Sequence, residues 1–211
     1  MKIQYLLTLV NSLFGLTAFA RITFPISRVN VILTIAVYFH ILTCILLELS
    51  TLPEIPWQRL AVLTNTIGEF SRLLSIICFL DGKDIISLKI LKSGIVPVTF
   101  ITGFVGHVLS LLQSPALGYT LLMSALWNLV SNMSVNMVFS RIARKLPKEG
   151  KWIARMPIIW NSVGIVLVIL SRTFERQGND YLSLLLFDCS ITADIALAHS
   201  LISFFHFISI K

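Results

Sequence analysis

The chain has 211 residues, 56% of them hydrophobic and 13% charged, with a formal net charge of +7 and a mean hydropathy of +0.87. Soluble domains are roughly 25% charged, so half that supply excludes a water-coated globule, while the apolar excess excludes disorder and three cysteines exclude a small disulfide scaffold. What remains is an all-α, polytopic helical membrane protein, a single transmembrane domain over residues 1–211, in which basic residues between apolar runs report topology and lipid contact and not nucleic acid.

A transmembrane helix needs roughly 20 mostly apolar residues, and seven segments approach that length. In chain order they are Ile3 to Ala20, Val29 to Leu49, Leu60 to Leu80, Ile95 to Leu112, Ala116 to Phe139, Met156 to Leu170 (extendable through Trp152) and Leu182 to Ile208. Pro25, Pro53, Pro56, Pro115, Pro147 and Gly178 punctuate them. Pro97 and Pro157 are expected in the first turns of their helices, where proline is tolerated.

The first segment has two readings. Lys2, an apolar run and Ala18-Phe19-Ala20 before Arg21 resemble a cleavable signal peptide. Charge counting opposes cleavage. The link between the fifth and sixth segments carries Arg141, Arg144, Lys145, Lys148, Lys151 and Arg155 and is expected in the cytoplasm. Seven spans then put twelve basic residues inside and four (Lys2, Arg59, Arg172, Arg176) outside, with a cytoplasmic C-terminus. Cleavage would invert that bias.

The third segment allows an alternative of six spans plus one interfacial helix. Leu60, Leu63, Ile67, Phe70, Leu74 and Ile77 share a face, while Asn65, Glu69 and Arg72 face elsewhere. Seven spans are the expectation, because the segment is long enough and Glu69 and Arg72 are i,i+3 neighbours able to pair.

Ionisable groups inside spans are costly and mark candidate sites. On the seventh segment Asp188, Thr192, His199 and His206 fall on one line, with Ser203 beside it and Asp194 roughly 120° away. They read either as a hydrophilic seam, such as a proton or solute path, or as polar groups packed against neighbouring helices. The fifth segment carries a stripe of Ser124, Asn128, Asn132 and Asn136, the residue types that hydrogen-bond between membrane helices. The Asn132-Met133-Ser134 sequon lies mid-span, out of reach of glycosylation.

The four histidines, His40, His107, His199 and His206, all fall in segments. A His40–His199 pair at matched depth is the only conceivable haem arrangement, and no His, Cys or Glu spacing suggests a metal site. No cofactor is therefore expected. Cys44, Cys78 and Cys189 read as small buried residues. Nucleophile-elbow, phosphate-loop, dinucleotide and zinc-protease signatures are absent.

The basic patch of Arg141, Arg144, Lys145, Lys148 and Lys151, followed by the interfacial anchor Trp152, suits a cytoplasmic loop, anionic lipid headgroups or a protein partner. Glu54 with Trp57, and Glu175 with Asp180, mark short outer loops. Three functions follow as expectations. The first is a non-enzymatic subunit, adaptor or organiser of a membrane complex. The second is a small transporter or proton-coupled carrier using the polar face of the last helix. The third is a membrane-embedded lipid enzyme with His199, Asp188 and Asp194 as acid/base groups. An uncleaved apolar N-terminus fits a bacterial inner membrane or an endomembrane such as the endoplasmic reticulum, the latter being the expectation.

Overall fold

The computed structural model describes residues 3–22, 28–49, 57–81, 95–112 and 117–210. Their regular elements are all helices: α1 (Ile3–Ile22), α2 (Arg28–Leu49), α3 (Trp57–Leu80), α4 (Ile95–Leu111), α5 (Leu117–Lys145), α6 (Lys148–Arg176) and α7 (Asp180–Ile210). Four of them contain stretches long and apolar enough to cross a membrane: Val29–Leu47, Arg59–Leu80, Lys148–Arg176 and Asp180–Ser209. Leu6–Arg21 and Val96–Leu109 form shorter apolar helices. In α5 the asparagine stripe and the terminal Arg141, Arg144 and Lys145 dilute the apolar character. The chain is thus an all-α protein compatible with an integral membrane location. Pro25, Pro53, Glu54, Pro56 and Pro115 lie outside the described residues, as do Lys2, Lys83, Lys89, Lys92 and Lys211.

The most extensive packing is between α6 and α7 and between α2 and α3. Paired contacts fix direction. Asn11 meets Cys44 and Gly15 abuts Ile41, so α1 and α2 are antiparallel. Thr43 bonds Thr64 while His40 lies against Gly68, so α2 and α3 are antiparallel too. Ser171 bonds Ser183 and Gly150 faces Phe207, which sets α6 against α7. Asn11 with Asp188, Thr17 with His199 and Arg21 with Ser203 make α1 and α7 parallel. A continuous core of Leu33, Val37, Leu73, Trp127, Phe139, Leu197 and Phe204 joins helices from both halves of the chain.

The α6–α7 turn is set by two residues. Gly178 adopts φ 75°, a left-handed conformation that a Cβ would strain. Its N–H reaches the Glu175 carbonyl and the Asn179 N–H reaches Phe174, the paired closure of a Schellman end. Asn179 Oδ1 then accepts the Leu182 N–H and caps α7.

Two expectations need correction. The basic stretch 141–155 is not a loop: α5 runs to Lys145 and α6 begins at Lys148, so Leu146 and Pro147 alone separate the helices. The stretch is rich in helix formers, and both helices simply continue past their apolar portions. Pro157 therefore lies in the interior of α6, not in its first turn. It supplies no N–H to the Ile153 carbonyl, a loss that a neighbouring turn absorbs in membrane helices. Pro97 does lie in the first turn of α4.

Helix α3 turns its polar side inward. Asn65, Glu69, Arg72 and Ser75 are buried, whereas Leu60, Leu63, Ile67, Phe70, Leu74 and Ile77 are half-buried. An interfacial helix would turn its polar face to water. Here the apolar side is only half-buried, with Phe70 stacked on Phe100 of α4 at 3.9 Å between ring centroids and Ile77 packed against the core.

Candidate intramembrane site

Helix α7 has two polar flanks, and the six-residue step from Asp188 to Asp194 separates them. The first flank packs on α1. Asn11, fully buried in α1, donates its amide N–H to Asp188 Oδ1 at 3.1 Å and approaches Cys44 Sγ at 3.5 Å. Its amide oxygen accepts the Thr192 hydroxyl at 2.7 Å. One turn and more further on, His199 Nε2 lies 3.0 Å from the Phe14 carbonyl and its Nδ1 lies 3.1 Å from Arg21 Nη1. A carbonyl only accepts and a guanidinium only donates, so His199 carries its proton on Nε2 and both nitrogens are occupied. Its ring stacks on Phe14 with centroids 4.3 Å apart. The line predicted from the sequence is real for Asp188, Thr192 and His199, and it is a helix–helix seam. His206 is exposed near the end of α7.

The second flank faces α3, α5 and α6. Asp194 Oδ1 accepts a short hydrogen bond from Arg72 Nη1. The Arg72 side chain is 1% exposed. This pair replaces the expected i,i+3 pairing of Arg72 with Glu69. Both residues face inward from α3, and α7 supplies the carboxylate that Arg72 takes. Glu69 has other partners: Oε1 accepts the Asn65 amide at 3.2 Å and Oε2 accepts the Trp127 indole N–H at 3.0 Å. Asn65 Oδ1 in turn accepts His40 Nδ1–H at 3.0 Å. Gly68 makes room for this ring, since a Cβ there would come within 2.9 Å of His40 Cε1.

Beside these groups lies a cavity of about 270 Å³. Glu69, Asn128, Asn132, Asn136, Asn161, Ser190 and Asp194 supply its polar wall, and Leu129, Met133, Ile165, Val168 and Ile169 its apolar wall. The asparagines are organised: Asn161 donates to Asn136 Oδ1 at 3.0 Å and to the Asn132 carbonyl at 3.3 Å, joining α6 to α5. Leu129, Met133 and Ile169, all more than half exposed, form the rim between α5 and α6. A second cavity of about 610 Å³ adjoins it through the shared Asn128 and Val168. That larger space is walled by Asn65 and Thr66 of α3 and by Arg172, Glu175 and Arg176 at the exposed end of α6. Arg172 and Glu175 are themselves an exposed ion pair at 2.6 Å.

The structure thus brings together Glu69, Arg72, Asn128, Asn132, Asn136 and Asp194. It places Asp188 and His199 in the α1 seam and His107, buried, on α4, and none of the three is among the residues lining these two cavities. The side chain of Ser124 lies outside those described. Arg141, Arg144, Lys145, Lys148 and Trp152 are exposed and Lys151 half-buried at the α5–α6 junction. Sequence reasoning missed Asn11, Trp127 and Asn161. An amide within an otherwise apolar helix was the available signal for Asn11 and Asn161; Trp127 offered none. Among the described residues, no group of three or more His, Cys, Asp or Glu side chains is placed to hold a metal ion. No protein-family model, curated protein or solved structure is significantly similar to the chain.

Proposed function

We propose that this is a seven-span integral membrane carrier that binds a small polar or amphipathic solute in the cavity between α3, α5, α6 and α7. The observation that carries the reading is the convergence of Glu69, Asp194, Ser190 and four asparagines on one cavity within apolar helices. Polar groups in lipid are costly unless paired or facing a wet space, and packing alone does not require such a space beside them. An apolar wall with a few convergent polar groups is the usual make-up of a small-molecule site. The adjoining 610 Å³ vestibule leads from Asn128 to Arg172, Glu175 and Arg176, a route to the aqueous edge.

Seven spans are supported by the alternating course of α1, α2 and α3 and by the parallel run of α1 and α7. Seven spans would put the basic α5–α6 junction and the C-terminus on one side, which the positive-inside bias assigns to the cytoplasm. The carrier reading relocates the functional groups of α7: Asp194 serves the cavity, and the Asp188 line serves packing. The lipid-enzyme expectation loses its constellation, because Asp188, Asp194 and His199 meet different partners. The organiser expectation draws no comparable support from the cavity.

The test is uptake into liposomes containing the purified protein, across a panel of amines, amino acids, sugars and short-chain lipids, with an entrapped pH dye reporting coupled protons. Uptake of at least one class is expected, abolished by Asp194→Asn and Glu69→Gln and retained by Asp188→Asn. No uptake across the panel, or uptake indifferent to Asp194 and Glu69, would overturn the proposal.

A further inference from the structure

A separate groove of about 300 Å³ lies between α1, α6 and α7, at the end of the bundle opposite the vestibule. Its polar lining comprises Arg21, His199, Ser203 and Ser200, whose hydroxyl donates to the Leu197 carbonyl, and its walls include Phe14, Trp152 and Trp160. Arg21, in the last turn of α1, is held at both terminal nitrogens: Nη1 donates to His199 Nδ1 at 3.1 Å and Nη2 to Ser203 Oγ at 3.0 Å. Both holders are committed elsewhere. His199 Nε2–H donates to the Phe14 carbonyl at 3.0 Å, and the Ser203 hydroxyl donates to the His199 carbonyl at 3.1 Å. Neither holder is anionic. Among the described residues no carboxylate forms an ion pair with Arg21. A guanidinium has five N–H donors, so a positioned cation keeps donors for a further acceptor. The groove also has an exposed tryptophan at its mouth, Trp152 being 62% exposed. Tryptophan at such a depth marks the headgroup level of a bilayer.

We infer that this groove binds the phosphate of an anionic lipid, with Arg21 as the phosphate ligand, His199 and Ser203 as its positioning residues, and Trp152 and Trp160 flanking the headgroup. The fork of an arginine matches phosphate geometry. Two features favour a lipid over a free anion: the groove opens beside the apolar side chains of Ile153 and Met156, and the exposed basic residues at the start of α6 sit at the same end. The site differs from the exposed patch of Arg141, Arg144 and Lys145, none of which lines this groove.

The experiment measures thermal unfolding of the detergent-solubilised full chain with dioctanoyl phosphatidylglycerol, dioctanoyl phosphatidylcholine or inorganic phosphate. Phosphatidylglycerol is expected to raise the midpoint, and the other two to leave it unchanged. Arg21→Gln should weaken the apparent phosphatidylglycerol affinity by about tenfold or more, and Ser203→Ala, which keeps the charge but frees its fork, by a smaller factor. Arg141→Gln with Arg144→Gln should leave it within about twofold, as exposed charges contribute little. An equal shift from inorganic phosphate would mean a free-anion site, and unaltered affinity in Arg21→Gln would place the headgroup elsewhere; either overturns the inference. Should Arg21→Gln fail to fold, Ser203→Ala and Trp160→Leu decide it: unchanged affinity in both also overturns it.

Discussion

On one flank of α7, Asp188 and Thr192 close on the two ends of a single amide, Asn11, and no described cavity adjoins them. On the other flank, Asp194 takes the Arg72 guanidinium and still borders a cavity that α5 and α6 wall with asparagines and α3 with Glu69. Both flanks carry a carboxylate within an apolar helix, so composition and spacing do not separate them. What separates them is the partner. A seam forms where one amide of the facing helix closes on both groups, Asp188 and Thr192. A cavity forms where α3, α5 and α6 bring more polar groups than the pairing requires and leave space between.

The comparison can be broken most forcefully at Arg72. Arg72→Ala leaves Asp194 without its cation, and loss of one member of a buried pair costs about 3–5 kcal/mol. A collapse of the unfolding midpoint in detergent is expected. Arg72→Met with Asp194→Leu should recover most of that stability while uptake remains absent. Recovery of uptake as well would show that the cavity does not need its carboxylate.

At the seam, Asn11→Leu removes the partner of both Asp188 and Thr192. The cost is about 1–3 kcal/mol for the polar atoms left buried, read as a lower midpoint with uptake per folded molecule unchanged. Gly68→Ala pushes a methyl into the His40 ring. Overpacking of this kind costs about 1–3 kcal/mol, and it should also disturb the His40–Asn65–Glu69 chain, so uptake falls with stability. The smallest effect on stability belongs to Arg172→Ala. Its partner Glu175 is an exposed i,i+3 neighbour, 41% accessible against 46% for the arginine, and such pairs contribute about 0.5 kcal/mol or less. Any marked change in solute affinity in that variant would therefore report the vestibule and not the fold.

Much of the helical frame was readable in the sequence, because apolar runs bounded by proline and glycine fold as helices, four of which contain stretches long and apolar enough to cross a membrane. The ends were not. Residues 141–155 look like a loop by charge, yet nothing in them apart from Pro147 and Gly150 opposes a helix, and both helices run on until only Leu146 and Pro147 separate them. The line of Asp188, Thr192 and His199 followed from helix geometry alone. Its partner helix did not, since Asn11 lies 177 residues away from Asp188 and only the bundle brings them together. The same holds for Arg72. Local spacing suggested Glu69, and the tertiary fold supplied Asp194, 122 residues distant. Periodicity did divide α3 into two faces, and the buried one carries Asn65, Glu69 and Arg72.

The most direct measurement is aqueous access to the two flanks in reconstituted membranes. With Cys44, Cys78 and Cys189 replaced by alanine, single cysteines are placed at Asn132, in the cavity, and at Thr192, in the seam, and exposed to a charged, membrane-impermeant thiosulfonate. Modification of the cysteine at position 132 and protection at position 192 are the predicted result. Equal protection at both positions, or faster labelling at 192, would contradict an open cavity beside a closed seam.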